Sequence, residues 1–143
     1  MLVTHGAFEA DARAVVVIVL DTNDGQPGEP RDHFDWPQRK ATYLESLQAK
    51  GPHYPALLVS LADKVHNCEA TLVLIRGGTT ATTFYEHTGF NAKAPAQKWY
   101  HSSLTQVFRE KLGGNAQALP LVQRLKAAVD EIFVGVEAES PPR

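Results

Sequence analysis

The stretch that decides the fold is PALLVSLADKVHNCEATLVLI, residues Pro55 to Ile75. Its apolar residues recur at mostly helical spacing, at Leu57, Leu58, Leu61, Val65, Leu72 and Ile75. Residues at these intervals share one side of a helix, so we expect that side to face a core. Gly77 and Gly78 follow directly and predict the end of the helix, because glycine adopts the backbone conformations that terminate one.

Helices are also predicted on either side of this stretch. The first runs from Pro37 or Gln38 to Lys50, with an apolar face formed by Tyr43, Leu44 and Leu47. Two later helices run from Gln97 to Leu112 and from Leu119 to Val134, each with apolar residues at helical intervals. Glycine and proline separate these segments. The chain is therefore predicted to be an all-α helical bundle.

Other segments are less decided. Residues Ala7 to Leu20 begin with helix-forming AFEADARA and end with VVVIVL, whose β-branched side chains favour a strand. Asp21 to Pro37 is predicted to be a loop because it is rich in Asn, Asp, Gly and Pro. The secondary structure of Thr79 to Pro95, which contains TTATTFYEHTGF, rich in threonine and aromatic residues, and then a loop, is left undecided.

Composition places the chain among globular proteins of one domain. It has 143 residues, 43% hydrophobic and 21% charged, and residues 135–143 are predicted to be a flexible tail. The net charge is -2, and neither sign accumulates in a block, so no nucleic-acid or membrane partner is predicted. The single Cys68 allows no internal disulfide and is predicted to be a buried structural thiol. We expect a soluble, cytoplasmic protein.

Three stretches together resemble the HD-domain metal-dependent phosphohydrolases. LLVSLADKVHN, Leu57 to Asn67, resembles the motif that supplies the last metal ligand of this family. WPQRKATYLESL, Trp36 to Leu47, resembles the helix before that motif, and WYHSSLTQVF, Trp99 to Phe108, resembles a later helix with an aromatic residue in the nucleotide pocket. The closest branch is the alarmone hydrolases, which remove pyrophosphate from guanosine 3',5'-bis(diphosphate). The match covers residues 8–134.

The resemblance implies roles for individual residues. Asp63 would bind a divalent metal such as manganese, Asn67 would contact the nucleotide, and Tyr100 would pack against its base or ribose. Three basic residues match family positions of the nucleotide site without an assigned contact: Lys64, Arg39 and Lys40. Without the resemblance, Asp63 and Asn67 read as polar residues on a helix surface, and Tyr100 reads as a core residue.

The chain departs from the family at the metal site. The family uses a His and an adjacent His-Asp pair before the late Asp, but none of the six histidines here is followed by Asp. Asp32-His33 is reversed in order, and with Asp35 it is interpreted as part of a turn. His66, three residues after Asp63, is a further candidate ligand, although a lone helical histidine is usually structural. The resemblance therefore implies a truncated HD-domain bundle with an incomplete metal site.

Two hypotheses follow for function. The first is a degenerate nucleotide pyrophosphohydrolase-like protein, inactive alone, that keeps a pocket for a nucleotide or phosphorylated molecule. The alternative is a non-enzymatic helical homodimer that acts as a binding or interaction module. A homodimer is expected in either case, with residues 8–20 at its interface, because a shortened bundle would otherwise expose apolar surface.

Overall fold

A computed structural model of the chain describes residues 35–87 and 89–141. Within these residues every regular element is an α-helix: α1 (Trp36–Ala49), α2 (Pro55–Arg76), α3 (Ala81–His87), α4 (Ala94–Leu112) and α5 (Leu119–Ile132). The prediction of an all-α fold is confirmed for this part of the chain. The predictions for residues 8–20 and for Asp32-His33 fall outside it. None of the described helices is long and apolar enough to cross a membrane.

Proline and glycine set the helix ends, as the sequence predicts, with small shifts. The first turn of each of α1, α2, α4 and α5 contains a proline, where its missing N–H removes no helical hydrogen bond. α1 begins at Trp36, so the loop prediction is wrong for Trp36 and Pro37, and residues 21–34 of that predicted loop lie outside the described chain. α4 begins at Ala94, ahead of the predicted Gln97. Gly77 caps α2, and Gly78 has a φ of 115°, a conformation that favours glycine.

α2 and α5 run parallel and make the most extensive helix–helix contact of the described chain. Two exposed ion pairs connect them: Arg124 Nη2 lies 2.6 Å from Glu69 Oε2, and Arg76 Nε lies 2.6 Å from Glu131 Oε2. The partners are 55 residues apart in each pair. The second ion pair lies seven residues after the first on both helices, so the two helices must point in the same direction. Because these pairs are exposed, they specify register more than they stabilise the fold.

α4 packs between α1 and α5. Trp36 and Tyr100 have ring centroids 5.8 Å apart, and Gln48 near the end of α1 donates a hydrogen bond of 3.0 Å to Glu110 near the end of α4. α1 and α4 are therefore parallel. α5 runs antiparallel to α4, so the segment after α5 lies beside the start of α4. There the Glu139 N–H donates to the Pro95 carbonyl at 3.0 Å, within the segment that the sequence predicts to be a flexible tail.

The core lies where α2, α4 and α5 meet. Its fully buried large side chains are Leu47, Leu57, Leu61, Leu104, Phe108, Leu112, Leu125 and Phe133. Cys68 is buried among them, and burial raises the pKa of its thiol to about 12, so the prediction of a buried thiol is confirmed. The prediction that Leu58 faces the core is wrong, because Leu58 follows buried Leu57 and is turned about 100° around the helix.

We predict that Leu61→Ala lowers the free energy of unfolding by about 2–5 kcal/mol, since it leaves a cavity at a fully buried position. Urea denaturation measures the change. Val134→Ala is the control, because Val134 is 75% exposed and its truncation should change stability by less than about 0.5 kcal/mol. Equal losses for the two variants would contradict this description of the core.

Candidate functional site

Two lysines and three aromatic side chains meet at the junction of α1, α2 and α4. Lys40 Nζ lies 4.6 Å from the ring centroid of Tyr100 and 5.6 Å from that of Trp36. Lys64 Nζ lies 5.5 Å from the ring centroid of Tyr43. Ammonium groups at these distances interact favourably with an aromatic face. We call Trp36, Lys40, Tyr43, Lys64 and Tyr100 the lysine–aromatic cluster.

The helical repeat of α1 explains why a lysine reaches this junction. Trp36, Lys40, Tyr43 and Leu47 follow one another at intervals of four, three and four residues, so they share one face. The other three members are buried, and only Lys40 brings a charge into the stripe. Its long aliphatic stem lets the ammonium group remain near the edge of the core.

Lys40 has a strongly shifted ionisation. Burial is the main cause, and the nearby positive charge of Lys64 adds to it; together they lower the pKa of Lys40 from its ordinary value of 10.5 to about 8. Both effects disfavour the charged ammonium. Lys64 is 16% exposed and forms an ion pair with Asp63, in which Nζ lies 3.0 Å from Oδ2. The cluster thus holds two partly desolvated amines, one of which is paired with Asp63.

Tyr100 combines a core ring with an unsatisfied hydroxyl. The residue is 4% exposed, which agrees with a core position, and the Lys40 ammonium lies over its ring. Within the described residues its buried hydroxyl has no hydrogen-bond partner. Burial raises the pKa of the phenol well above its usual range, and Tyr43, Asp63 and Cys68 raise it further. The hydroxyl therefore keeps its proton and is available as a donor.

A buried hydrogen bond joins α1 to α2 beside the lysines. The Tyr43 hydroxyl and Ser60 Oγ form it, and either oxygen can be the donor. Ser60 is completely buried. The sequence interpretation placed Tyr43 only on an apolar face and passed over Ser60. The available signal was a lone serine between Leu57 and Leu61 in an otherwise apolar stripe of α2.

Asp63 and Asn67 lie together at the exposed side of α2. Asn67 Nδ2 donates to Asp63 Oδ1 at 3.3 Å, while Lys64 Nζ donates to Asp63 Oδ2 at 3.0 Å. Both oxygens of the predicted metal ligand are thus engaged by donors of its own helix. This arrangement fits a polar helix surface, which is the reading that the residues favour without the family resemblance.

His66 points to different neighbours. The pKa of Glu69 is lowered chiefly by the hydrogen bond from Arg124, and the charges of Arg124 and His66 lower it further. His66 therefore lies on the side of α2 that carries Glu69. In the part of the chain that the structure describes, no three His, Cys, Asp or Glu side chains are grouped to hold a metal ion. The described donors around Asp63 do not fit the metal site of the resembled family.

Arg39 and His101 are two further polar residues, of which only His101 lies next to the cluster. The Nε and Nη2 of Arg39 are buried and have no hydrogen-bond partner among the described residues. His101 Nδ1 lies 2.8 Å from the Gln97 carbonyl oxygen, which requires Nδ1 to carry the proton. Burial is the largest cause that lowers the pKa of His101 to about 4, and the charges of Lys40 and Lys64 also lower it. His101 is therefore neutral at pH 7, and the sequence interpretation did not include it.

A cleft of about 550 Å³ lies between α4 and α5, and none of the predicted site residues lines it. Its charged groups are mostly paired with one another. Lys126 Nζ lies 2.5 Å from Asp130 Oδ2, and Glu110 accepts hydrogen bonds of 3.0 Å from Gln106 and Gln48. Lys126, Asp130 and Glu110 thus already have partners within the protein, whereas the lysine–aromatic cluster combines two amines with aromatic surface.

No protein-family model matches this chain, and comparisons with curated proteins and with solved structures give no match either. The HD-domain assignment therefore stays a prediction that depends on the quoted motifs. Of the predicted site residues, the structure brings together Lys40, Asp63, Lys64, Asn67 and Tyr100. Within the described residues it gives no contact from Arg39 or His66 to this group.

We predict that Tyr43→Phe lowers the free energy of unfolding by about 1–3 kcal/mol, because it leaves the buried Ser60 hydroxyl without its partner. Adding Ser60→Ala should recover part of this loss, since the second change removes the orphaned group. A double-mutant cycle by urea denaturation measures the coupling. Strictly additive losses would contradict an energetically significant bond.

We predict that Lys40→Met stabilises the protein most near neutral pH. A lysine with a folded-state pKa of about 8 binds fewer protons when folded than when unfolded, so the stability of the wild type rises between pH 8 and 10.5. The stability difference between variant and wild type should shrink over that window. Lys126→Met is the matched control, because Lys126 is exposed and its replacement should change the free energy of unfolding by less than about 0.5 kcal/mol across the same window.

Proposed function

We propose that this chain binds a phosphorylated small molecule, of the nucleotide class, at the lysine–aromatic cluster. We further propose that it does not hydrolyse that ligand by the metal-dependent mechanism of the HD family. The observation that carries the proposal is the pair Lys40 and Lys64, two amines held together in a partly desolvated site. The ammonium of Lys40 also lies over the rings of Tyr100 and Trp36, so charge and aromatic surface meet at this site.

The electrostatic argument concerns the cost of keeping Lys40 charged. Desolvation and the like charge of Lys64 both disfavour its ammonium form. A phosphate group beside the two amines would reverse the second effect and replace part of the lost hydration through charge-assisted hydrogen bonds. Binding would then raise the pKa of Lys40 toward its ordinary value. This change would contribute favourably to the binding free energy of a phosphorylated ligand. An uncharged analogue would not raise the pKa of Lys40 and would lack that contribution.

The hydrogen-bonding groups support an acceptor-rich ligand. The Tyr100 hydroxyl is a buried donor without a hydrogen-bond partner among the described residues. Buried donors are normally satisfied, so unsatisfied ones mark places where a ligand or water supplies acceptors. Phosphate oxygens accept hydrogen bonds and donate none when ionised. Tyr100 and Trp36 add aromatic surface beside the lysines.

The chemistry of the donors supports binding without family-type hydrolysis. In that mechanism a bound divalent ion activates water and neutralises the leaving phosphate. Asp63 alone offers one or two oxygens, and Lys64 and Asn67 already donate to them. A hard divalent ion requires several oxygen or nitrogen ligands at short range. The first hypothesis, a degenerate pyrophosphohydrolase-like protein that keeps a phosphate pocket, therefore agrees with the site better than an active hydrolase.

The test is ligand-dependent thermal stabilisation in buffer without divalent metal. Guanosine 3',5'-bis(diphosphate) and GTP should raise the melting temperature, whereas guanosine should not. At a ligand concentration of 100 times Kd, the stabilisation should be about 2.7 kcal/mol. Lys40→Met should remove the response without unfolding the protein, and Lys126→Met, at an exposed lysine of α5, should retain it.

Two results would reject the proposal. One is the absence of stabilisation by any phosphorylated ligand at millimolar concentration. The other is equal stabilisation of the wild type and Lys40→Met, which would place the ligand elsewhere. Turnover of guanosine 3',5'-bis(diphosphate) after incubation with manganese, lost in Asp63→Ala, would reject the second part and indicate a complete metal site.

A further inference from the structure

Asp63 supplies an internal anion to one of the two amines at the lysine–aromatic cluster. Its Oδ2 lies 3.0 Å from Lys64 Nζ, and its Oδ1 accepts a hydrogen bond of 3.3 Å from Asn67. Side chains of adjacent residues on a helix do not face each other, so the long stem of Lys64 bends back toward the carboxylate. Asn67, one turn further along α2, holds that carboxylate in position. A ligand that binds Lys64 therefore has to compete with Asp63.

The ion pair between Asp63 and Lys64 can be exchanged for a stronger one. The side chain of Lys64 is 16% exposed, whereas that of Asp63 is 48% exposed and reaches solvent. Ion pairs with a solvated partner contribute little free energy, so the carboxylate can leave without a large loss of stability. Lys64 Nζ also lies 5.5 Å from the ring centroid of Tyr43, which keeps the ammonium at the cluster when Asp63 is displaced.

The second amine places a further demand on the ligand. Lys40 lies over the rings of Tyr100 and Trp36, and the positive charge of Lys64 acts on it, as the lowered pKa of Lys40 shows. An anionic group that binds both amines has to interact with Lys40 and also replace Asp63 at Lys64. A group with a single negative charge brings no more charge to Lys64 than the carboxylate that it displaces. A group with two negative charges can interact strongly with both amines.

From this competition we infer that the site selects a terminal phosphate monoester over a phosphodiester, and that Asp63 sets the selection. The inference rests on the proposed function and specifies which phosphate group the site accepts. A monoester carries a charge of about −1.5 to −2 at pH 7, whereas each phosphodiester group carries a single negative charge. Coulombic attraction grows in proportion to the charge, so only the monoester exceeds the attraction of the Asp63 carboxylate.

Replacement of Asp63 separates this role from that of a metal ligand. A metal ligand supports binding, so its loss weakens the complex, whereas the loss of a competing anion strengthens it. Asp63→Asn removes the charge with little change of shape, and the new amide oxygen can still accept the hydrogen bond from Asn67. The amide NH2 then faces Lys64, where a donor cannot pair with an ammonium. The Lys64 ammonium becomes available to a ligand with one negative charge.

Isothermal titration calorimetry near neutral pH, without divalent metal, tests the selection. The probes are guanosine 5'-monophosphate and guanosine 3',5'-cyclic monophosphate, a monoester and a diester of the same nucleoside. The wild type should bind the monoester about tenfold more tightly, and Asp63→Asn should bind the diester about tenfold more tightly than the wild type does. Asp130→Asn is the matched control, because Asp130 pairs with the exposed Lys126 of α5 at 2.5 Å and should leave the ratio of the two affinities unchanged. Asp63→Glu keeps the charge and should keep the preference for the monoester.

The outcomes that contradict the inference differ from those that contradict the proposed function. If neither nucleotide binds the wild type or Asp63→Asn, both proposals are rejected. If the wild type binds both nucleotides equally and Lys40→Met binds neither, the phosphate site stands and the selection by Asp63 is overturned. If Asp63→Asn binds both nucleotides more weakly while its melting temperature is unchanged, Asp63 supports ligand binding instead of competing with it.

Discussion

The burial of one side of α2 is the constraint on which the rest of the described structure depends. Leu57, Leu61 and Val65 turn toward the core, and the heptad-spaced ion pairs to α5 fix how far the two helices are shifted along each other. Once this side is buried, the directions in which the remaining sides of α2 face are fixed as well. One edge, with Ser60 and Lys64, faces α1, and the opposite side faces outward.

The lysine–aromatic cluster works against the stability of the fold that contains it. A methionine or leucine at position 40 would continue the buried stripe of Trp36, Tyr43 and Leu47 without a desolvation cost. Strongly shifted ionisable groups of this kind concentrate at functional sites, although structural networks also produce them. The buried Tyr100 hydroxyl beside them has no hydrogen-bond partner in the described part of the chain. This strengthens the functional interpretation, because a purely structural network would be expected to satisfy its own buried donors.

The sides of α2 differ in chemistry. The edge toward α1 carries the Lys64 amine and the Ser60 hydroxyl and suits a small anion. The side away from the core exposes aliphatic residues, among them Val73 and Leu74. Asp63 and Asn67 lie between these two sides. The phosphate pocket proposed for the junction of α1, α2 and α4 therefore uses the polar edge alone, and the alternative hypothesis, a homodimeric module, stays a prediction.

The four longer helices could be predicted from the sequence because helical periodicity and proline or glycine boundaries act over a few residues. α3 could not, since its threonine-rich segment has little local preference and is held by contacts of Tyr85 with Phe90 and Phe133. The motifs also selected Lys40, Lys64 and Tyr100 without indicating that they meet. Only the tertiary structure places Lys40 over the ring of Tyr100, 60 positions further along the chain, and leaves Leu58 exposed. Desolvation and packing depend on segments that are far apart in the sequence, and helical spacing does not report them.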